Sequence, residues 1–162
     1  MIGGTAMRYI IFALITMAIG GVMGTNLGKS VGNSTTVAAA PTTPQERRAW
    51  MEKQVQAVTR GLDRTLPKGN GMQPHMSVSR VKADPLRNSI DIIIDIKGPA
   101  RLNGDVSAAK TAILKQSCPH YMKTPLGREQ VTLTTRFLYE NRSPALTIAI
   151  SPNNCRFHVG KG

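Results

Sequence analysis

The sequence predicts an α+β domain whose elements follow the order helix, two strands, helix, two strands. Three patterns support this class: an amphipathic segment after Thr43, isoleucines at alternate positions from Ile90 to Ile96, and two further alternating segments near the C-terminus. The simplest way to bury one stripe per helix and one face per strand is a four-stranded, largely antiparallel sheet. Both helices are expected to cover one face of this sheet.

The first helix is predicted to begin with a capping box at Thr43-Pro44-Gln45-Glu46. Thr43 can accept a hydrogen bond from the backbone of Glu46, Glu46 can reach back, and proline is favoured at the first helical position. The helix is expected to end before Pro67 and to carry an apolar stripe with Trp50 at its rim. The stripe consists of Met51, Val55, Val58 and Leu62.

The first strand is predicted over residues 76–83, and a turn at residues 84–88 joins it to the isoleucine strand as a hairpin. A second helix is predicted to start near Asp105 and to stop at Cys118-Pro119. Its expected inward side chains are Val106, Ala109, Ile113 and Leu114. The last two strands follow from alternating apolar residues at 131–139 and 146–150, separated by a turn at 141–144.

An uncharged, strongly apolar segment occupies residues 9–27, between Arg8 and Lys29. Its length is close to the ~20 residues that span a bilayer, and the positive charge before it favours export of the rest of the chain. Two outcomes remain open: a retained single-pass anchor, or a signal peptide cleaved after Gly24 or near Ala40. Translation starting at Met7 instead of Met1 would make Met7-Arg8 a short basic head, which favours cleavage.

The chain therefore divides into an anchor or signal peptide at residues 1–29, a flexible tether at 30–43 and an extracytoplasmic domain at 44–162. Within the first segment, Gly20, Gly24 and Gly28 recur every fourth residue. On a helix they share one face, where another membrane helix can approach closely. The alternative is that these glycines only reflect the ordinary composition of membrane helices and signal ends.

Two cysteines, Cys118 and Cys155, lie near the ends of predicted elements. In an exported chain they suggest one disulfide. The alternative is a zinc site that adds His120 and His158, although the Cys-Pro-His spacing is tighter than in usual metal-binding loops.

No common catalytic motif is present in the sequence. Asp91 and Asp95 share a strand face, but four strand residues place them about 13 Å apart, too far for a glycosidase pair. The sequence therefore predicts a protein that is not an enzyme and holds no metal or cofactor.

The charge balance is strongly basic, with 21 Lys and Arg against 9 Asp and Glu and a net charge of +12. This favours contact with anionic lipid, anionic glycan or an acidic protein surface. A nucleic-acid module is disfavoured because few aromatic residues accompany the basic ones. Arg47 and Arg48, at the membrane-near start of the first helix, are the candidate contacts with an anionic surface.

Four stretches resemble a recurring type of small bacterial envelope protein with an N-terminal signal or anchor and a two-cysteine αββαββ domain. They are residues 58–67, Ser-Cys-Pro at 117–119, the strand at 131–139, and Ile-Ala-Ile-Ser-Pro-Asn-Asn-Cys at 148–155. The resemblance covers roughly residues 50–155 and rests mainly on the two cysteines. It implies that Cys118 pairs with Cys155 around a strand hairpin, and it implies no activity.

The sequence thus predicts a non-enzymatic, membrane-anchored interaction domain in the periplasm, held at a bacterial inner membrane. A protein partner within an envelope, secretion or conjugation-related assembly is expected. One alternative is a basic binder of an anionic envelope polymer or lipid. The other is a periplasmic or secreted protein released by signal cleavage.

Overall fold

The computed structural model describes residues 40–69, 75–98 and 105–158. These residues form four helices and four strands: α1 (Pro44–Thr65), β1 (His75–Asp84), β2 (Ser89–Lys97), α2 (Val106–Tyr121), α3 (Pro125–Arg128), β3 (Thr132–Tyr139), β4 (Pro144–Ile150) and α4 (Pro152–Arg156). No helix among them is long and apolar enough to span a bilayer. The predicted anchor at residues 1–29, with Gly20, Gly24 and Gly28, lies outside the described residues.

The four strands form one sheet in the order β1-β2-β3-β4. The predicted α+β class and the two hairpins are confirmed, since β1 pairs with β2 and β3 with β4 in antiparallel fashion. The sheet is nevertheless mixed, because the central strands β2 and β3 are parallel. Helix α2 returns the chain to the starting end of β2 before β3 begins, and a neighbouring strand reached in this way must run parallel.

One face of the sheet forms the core. The alternating isoleucines of β2 are buried, and they lie beside the alternating buried residues of β3 and β4 in a single cluster with α1 and α2. From α1 this cluster takes Met51, Val58 and Leu62. From α2 it takes Ile113 and Tyr121, so both long helices pack on the same apolar core.

The start of α1 follows the sequence prediction. The Thr43 hydroxyl accepts a hydrogen bond from the backbone N–H of Glu46 at 3.1 Å, and the Glu46 carboxylate accepts one from the N–H of Thr43 at 3.1 Å. Trp50 and Val55 are partly buried against the core, as expected for the rim and the stripe.

Helix α2 starts where predicted but differs from the prediction in the exposure of Val106 and in its C-terminal end. Asp105 is the N-cap, but Val106 is 40% exposed and does not face the core. The helix also continues past Pro119 to Tyr121. Proline in the last turn removes only one backbone donor, and the buried Tyr121 hydroxyl donates to the Val131 carbonyl at 2.7 Å, which holds this turn in place.

Two short helices are present that the sequence patterns do not predict. Each has a hydroxyl N-cap, Thr124 for α3 and Ser151 for α4, followed directly by proline. This is a strong helix-start signal, although each helix stops within five residues. Both cysteines consequently lie inside helices, Cys118 in α2 and Cys155 in α4, instead of after the ends of elements.

Candidate interaction surface

One end of the sheet gathers most of the features that bear on function. The last residue of β1, Asp84, pairs with Ser89, and Ser89 pairs with Thr132 at the start of β3. One row further, Leu133 pairs with Ile150, the last residue of β4. The β1–β2 turn, the start of β3 and the segment after β4 therefore lie at one end, called here the hairpin end.

Arg47 brings the start of α1 to the hairpin end. One terminal nitrogen of its guanidinium donates to the Glu129 carboxylate at 3.0 Å. The other donates to the Asn88 side-chain oxygen at 2.6 Å and to the Glu129 carbonyl at 3.1 Å. The guanidinium carbon also lies 5.9 Å from the centre of the Trp50 ring, within the range of a cation–π contact.

Asn88 completes this network between the β1–β2 turn and the loop before β3. Its side-chain NH₂ donates to the carbonyls of Glu129 at 2.9 Å and Gln130 at 3.0 Å. Asn88 and Gln130 have φ angles of 51° and 57°, in the left-handed region that asparagine tolerates better than most residues. Arg47 therefore joins three separate chain segments.

An open groove of about 880 Å³ runs between the start of α1 and the β1–β2 hairpin. It is lined by the chain leading into α1 from Pro41, by Arg48, by Lys82 on β1, and by Leu86 and Arg87 in the turn. Arg48 and Lys82 are exposed, and neither forms an ion pair with another residue that the structure describes. Leu86 is 99% exposed.

The acidic side chains near this groove are already engaged. Hydrogen bonds from Thr42 and Thr43 hold the pKa of the Glu46 carboxyl below its usual value. Asp84 accepts the backbone N–H groups of Leu86 and Arg87 at 3.1 Å each, and it lies 3.7 Å from the Arg87 guanidinium. Since Glu129 is paired with Arg47, the exposed charge of the hairpin end is mainly positive.

The disulfide fixes the other side of this end. Cys118 and Cys155 are joined, with 5.2 Å between their Cα atoms, and both are fully buried. The predicted disulfide is confirmed. The alternative zinc site is contradicted, because joined sulfurs cannot act as thiolate ligands, and the described residues contain no group of three or more potential metal ligands.

Beyond the disulfide, Phe157 is 88% exposed directly after α4. The exposed basic residues on this side of the hairpin end are Lys123, Arg128 and Arg156. Next to Cys118, the buried Ser117 hydroxyl has no hydrogen-bond partner among the residues that the structure describes. We find no role for this hydroxyl.

The side chains that alternate with the buried core residues along each strand lie on the second face of the sheet. Asp91 pairs with Arg136 at 3.6 Å and Asp95 with Arg142 at 3.2 Å. Between the two aspartates lies Ile93, which is half-buried. The long helices of the described residues pack on the core face, and this second face is called here the open face.

The predicted contact residues Arg47 and Arg48 are neighbours with different surroundings. Arg47 is about one quarter exposed and bonded within the protein, whereas Arg48 is exposed at the groove. Sequence reasoning overlooked Leu86 and Phe157. The signal for each was a large apolar residue in a polar turn, Asp84-Pro-Leu-Arg-Asn for the former and Cys155-Arg-Phe-His for the latter.

Searches with the whole chain found no matching protein-family model, no matching curated protein and no matching solved structure.

Proposed function

We propose that this chain is a membrane-anchored interaction domain on the periplasmic side of a bacterial inner membrane, and that it binds a protein partner of an envelope, secretion or conjugation-related assembly. The proposed partner site is the open face of the sheet. In this proposal the domain acts by contact and has no catalytic step.

Two features support the compartment. The uncharged segment at residues 9–27 has a positive charge before it and is long enough to act as an anchor. The domain is closed by a disulfide between Cys118 and Cys155, and disulfides persist in the periplasm and not in a reducing cytosol.

The open face is the observation that carries the binding role. On β2, Asp91 and Asp95 flank Ile93, and they pair with Arg136 of β3 and with Arg142 of the β3–β4 turn. A surface with an apolar centre and a charged surround has the anatomy of a protein–protein contact. Arg80 of β1 and Arg136 of β3 lie opposite Ile93 on its two sides, so the face suits a partner that presents acidic side chains around an apolar one.

Photo-crosslinking in cells tests this surface. A photo-reactive amino acid at Thr147, which is exposed on β4 and pairs with Arg136, is expected to yield a discrete crosslinked partner. Lys110, exposed on α2, is the matched control position. Equal crosslinking at both positions, or none at Thr147, would remove the open face as the binding site.

A C-terminal alkaline phosphatase fusion tests the compartment. Because Arg8 is expected to hold the preceding segment in the cytoplasm, the fused enzyme should be active outside it. Activity of a cytoplasmic reporter alone would reverse the topology. The mass of the mature protein separates the two outcomes of the apolar segment, since a chain starting near Thr25 or Ala40 has lost its anchor.

The basic groove favours a second candidate, the binding of an anionic polymer or lipid. Arg48 and Lys82 line it without ion-pair partners among the described residues. The groove adjoins the open face at Asp91, which lines the groove and pairs with Arg136 on the open face.

A further inference from the structure

We propose that the hairpin end of the sheet rests on an anionic lipid bilayer, with Leu86 and Phe157 at the interface and basic side chains against the headgroups. This inference rests on the membrane anchor of the proposed function. It adds an orientation: the hairpin end faces the membrane, and the open face remains accessible from the side.

The segment that leads into α1 gives the first argument. Ala40 is the first residue that the structure describes, and the segment from Pro41 to Thr43 lines the groove at the hairpin end. Only residues 30–40 separate this point from Lys29 at the end of the apolar segment. A flexible linker of that length has a root-mean-square span of about 20 Å. The hairpin end is therefore the end of the domain held nearest to the bilayer.

Charge gives the second argument. The exposed basic residues of this end are Arg48, Arg87, Lys123, Arg128 and Arg156. The acidic residues of this end are fewer: Glu129 pairs with Arg47 and Asp84 with Arg87, while Glu46 keeps its negative charge beside Thr42 and Thr43. The remaining excess of positive charge suits the negative headgroups of an anionic leaflet.

Exposed apolar side chains give the third argument and distinguish lipid from a soluble polyanion. Leu86 is 99% exposed and Phe157 is 88% exposed. They belong to segments next to β1 and β4, the two edge strands of the sheet, whose axes are about 14 Å apart across three strand spacings. A polyanion gains nothing from these side chains, whereas a bilayer interface accepts apolar and basic groups together. Two separated contacts also restrict the orientation of the domain on the bilayer more than a single contact does.

The test measures the depth of a fluorescent label on the full chain in lipid nanodiscs. Since the two native cysteines are joined and buried, Leu86→Cys introduces a single reactive thiol. Glu140→Cys, in the exposed β3–β4 turn at the opposite end of the sheet, is the matched control. Nanodiscs contain either phosphatidylcholine alone or phosphatidylcholine with phosphatidylglycerol, and nitroxide lipids act as quenchers.

We expect strong quenching and a blue shift for the label at position 86 in anionic nanodiscs, and little change for the label at position 140. Adding Arg48→Ser should shift the equilibrium between bilayer-bound and free positions of the domain about fivefold toward the free position, the effect of one basic residue near a charged surface, as read from quenching at position 86. Equal quenching at both positions, or none at position 86, would overturn the orientation. No quenching at position 86 in anionic nanodiscs, together with a change in the label's emission when heparin is added, would instead identify a polyanion site.

Co-elution of the chain with nanodiscs distinguishes a wrong orientation from a wrong anchor. If the full chain does not co-elute with nanodiscs, the proposed anchor is wrong. The same labelled chain is then mixed with excess anionic vesicles: quenching at position 86 supports lipid contact, and its absence overturns it. If the chain co-elutes but the label at position 86 stays in water, the anchor stands and the proposed orientation is wrong.

Discussion

Arg47 in the first turns of α1 and Glu129 in the loop before β3 form an ion pair, with 3.0 Å between the guanidinium nitrogen and the carboxylate oxygen. The pair connects residues 82 positions apart in the sequence. Less than a quarter of each side chain is exposed, so water screens this pair less than it screens a surface pair. The ion pair ties the start of α1 to the loop that leads into the central strand β3.

Replacing Arg47 by methionine is therefore expected to destabilise the fold. The change removes three hydrogen bonds and leaves the Glu129 carboxylate without its cation. A loss of about 1 to 3 kcal/mol in the free energy of unfolding is expected. Urea unfolding at neutral pH measures it.

Arg48→Met is the matched control, with the same change in charge at the next residue. Since Arg48 is exposed at the groove, its replacement should change the free energy of unfolding by no more than about 0.5 kcal/mol. Equal destabilisation by the two variants would mean that the Arg47–Glu129 pair contributes nothing specific. Charge reversal of both residues in one variant would not separate the effect of unfolding from the loss of contact with an anionic surface.

The disulfide is expected to supply a large share of the domain's stability. It closes a loop of 37 residues, for which the chain-entropy relation gives about 4 kcal/mol. Cys155→Ser should lower the midpoint of unfolding strongly. Dithiothreitol should destabilise the native protein by a similar amount and leave the variant unchanged. A midpoint insensitive to both changes would show that the buried contacts of α4 suffice without the bond.

Tyr121 predicts a loss of stability at alkaline pH. Burial raises the pKa of its phenol from 10.0 to about 12. The folded state thus holds the proton more tightly, and the corresponding stability is present below pH 10 and lost as the pH rises from 10 to 12. Between pH 9 and pH 11 this one group should account for a loss of about 1.3 kcal/mol.

Tyr121→Phe separates this effect from other alkaline changes. The variant loses the hydrogen bond to the Val131 carbonyl and should be less stable than the wild type at pH 7, by about 1 to 3 kcal/mol. Its difference from the wild type should shrink toward pH 11, because phenylalanine has no proton to lose. A constant difference across this range would contradict the raised pKa.

The helices and strands with strong periodicity were predictable from the sequence. The capping box at Thr43 and the isoleucine strand each carry a local signal that the tertiary structure preserves. The parallel pairing of β2 and β3 carries no such signal, because strand neighbours depend on the path of the intervening helix. Pro119 predicts a helix stop, yet α2 continues for two residues past it, to Tyr121, whose buried hydroxyl bonds to the Val131 carbonyl.

The candidate surfaces were predictable only in part. The cysteine pairing followed from composition and compartment, since two cysteines allow one intramolecular bond. Arg47 and Arg48 have the same charge in sequence, and only the folded chain distinguishes the residue bonded to Glu129 from its exposed neighbour. The role proposed for Leu86 depends on the sheet register, which places the β1–β2 turn beside the start of α1.

Gly127 in α3 gives the last prediction, because helix propensity and packing point in opposite directions there. Its φ is not in the left-handed region, so propensity alone favours Gly127→Ala by about 1 kcal/mol. A Cβ atom at this position would collide with the Tyr121 carbonyl oxygen and come within 2.9 Å of the Met122 Cα, both backbone atoms. Backbone cannot move aside cheaply, so we expect a net destabilisation of about 1 to 3 kcal/mol.

Gly98→Ala is the control for this steric effect. Gly98 has a φ of 102°, and no atom of the described residues lies within 4 Å of an added Cβ, so its substitution strains the backbone without a collision against them. The displacement of α3 in Gly127→Ala should also move Glu129, which follows this helix directly, away from Arg47. Arg47→Met should therefore lower the free energy of unfolding by less in the Gly127→Ala background than in the wild type. In the Gly98→Ala background, it should lower this free energy by the same amount as in the wild type. A double-mutant cycle measures both differences directly. Full additivity at Gly127 would show that α3 absorbs the extra methyl group without shifting the Arg47–Glu129 pair.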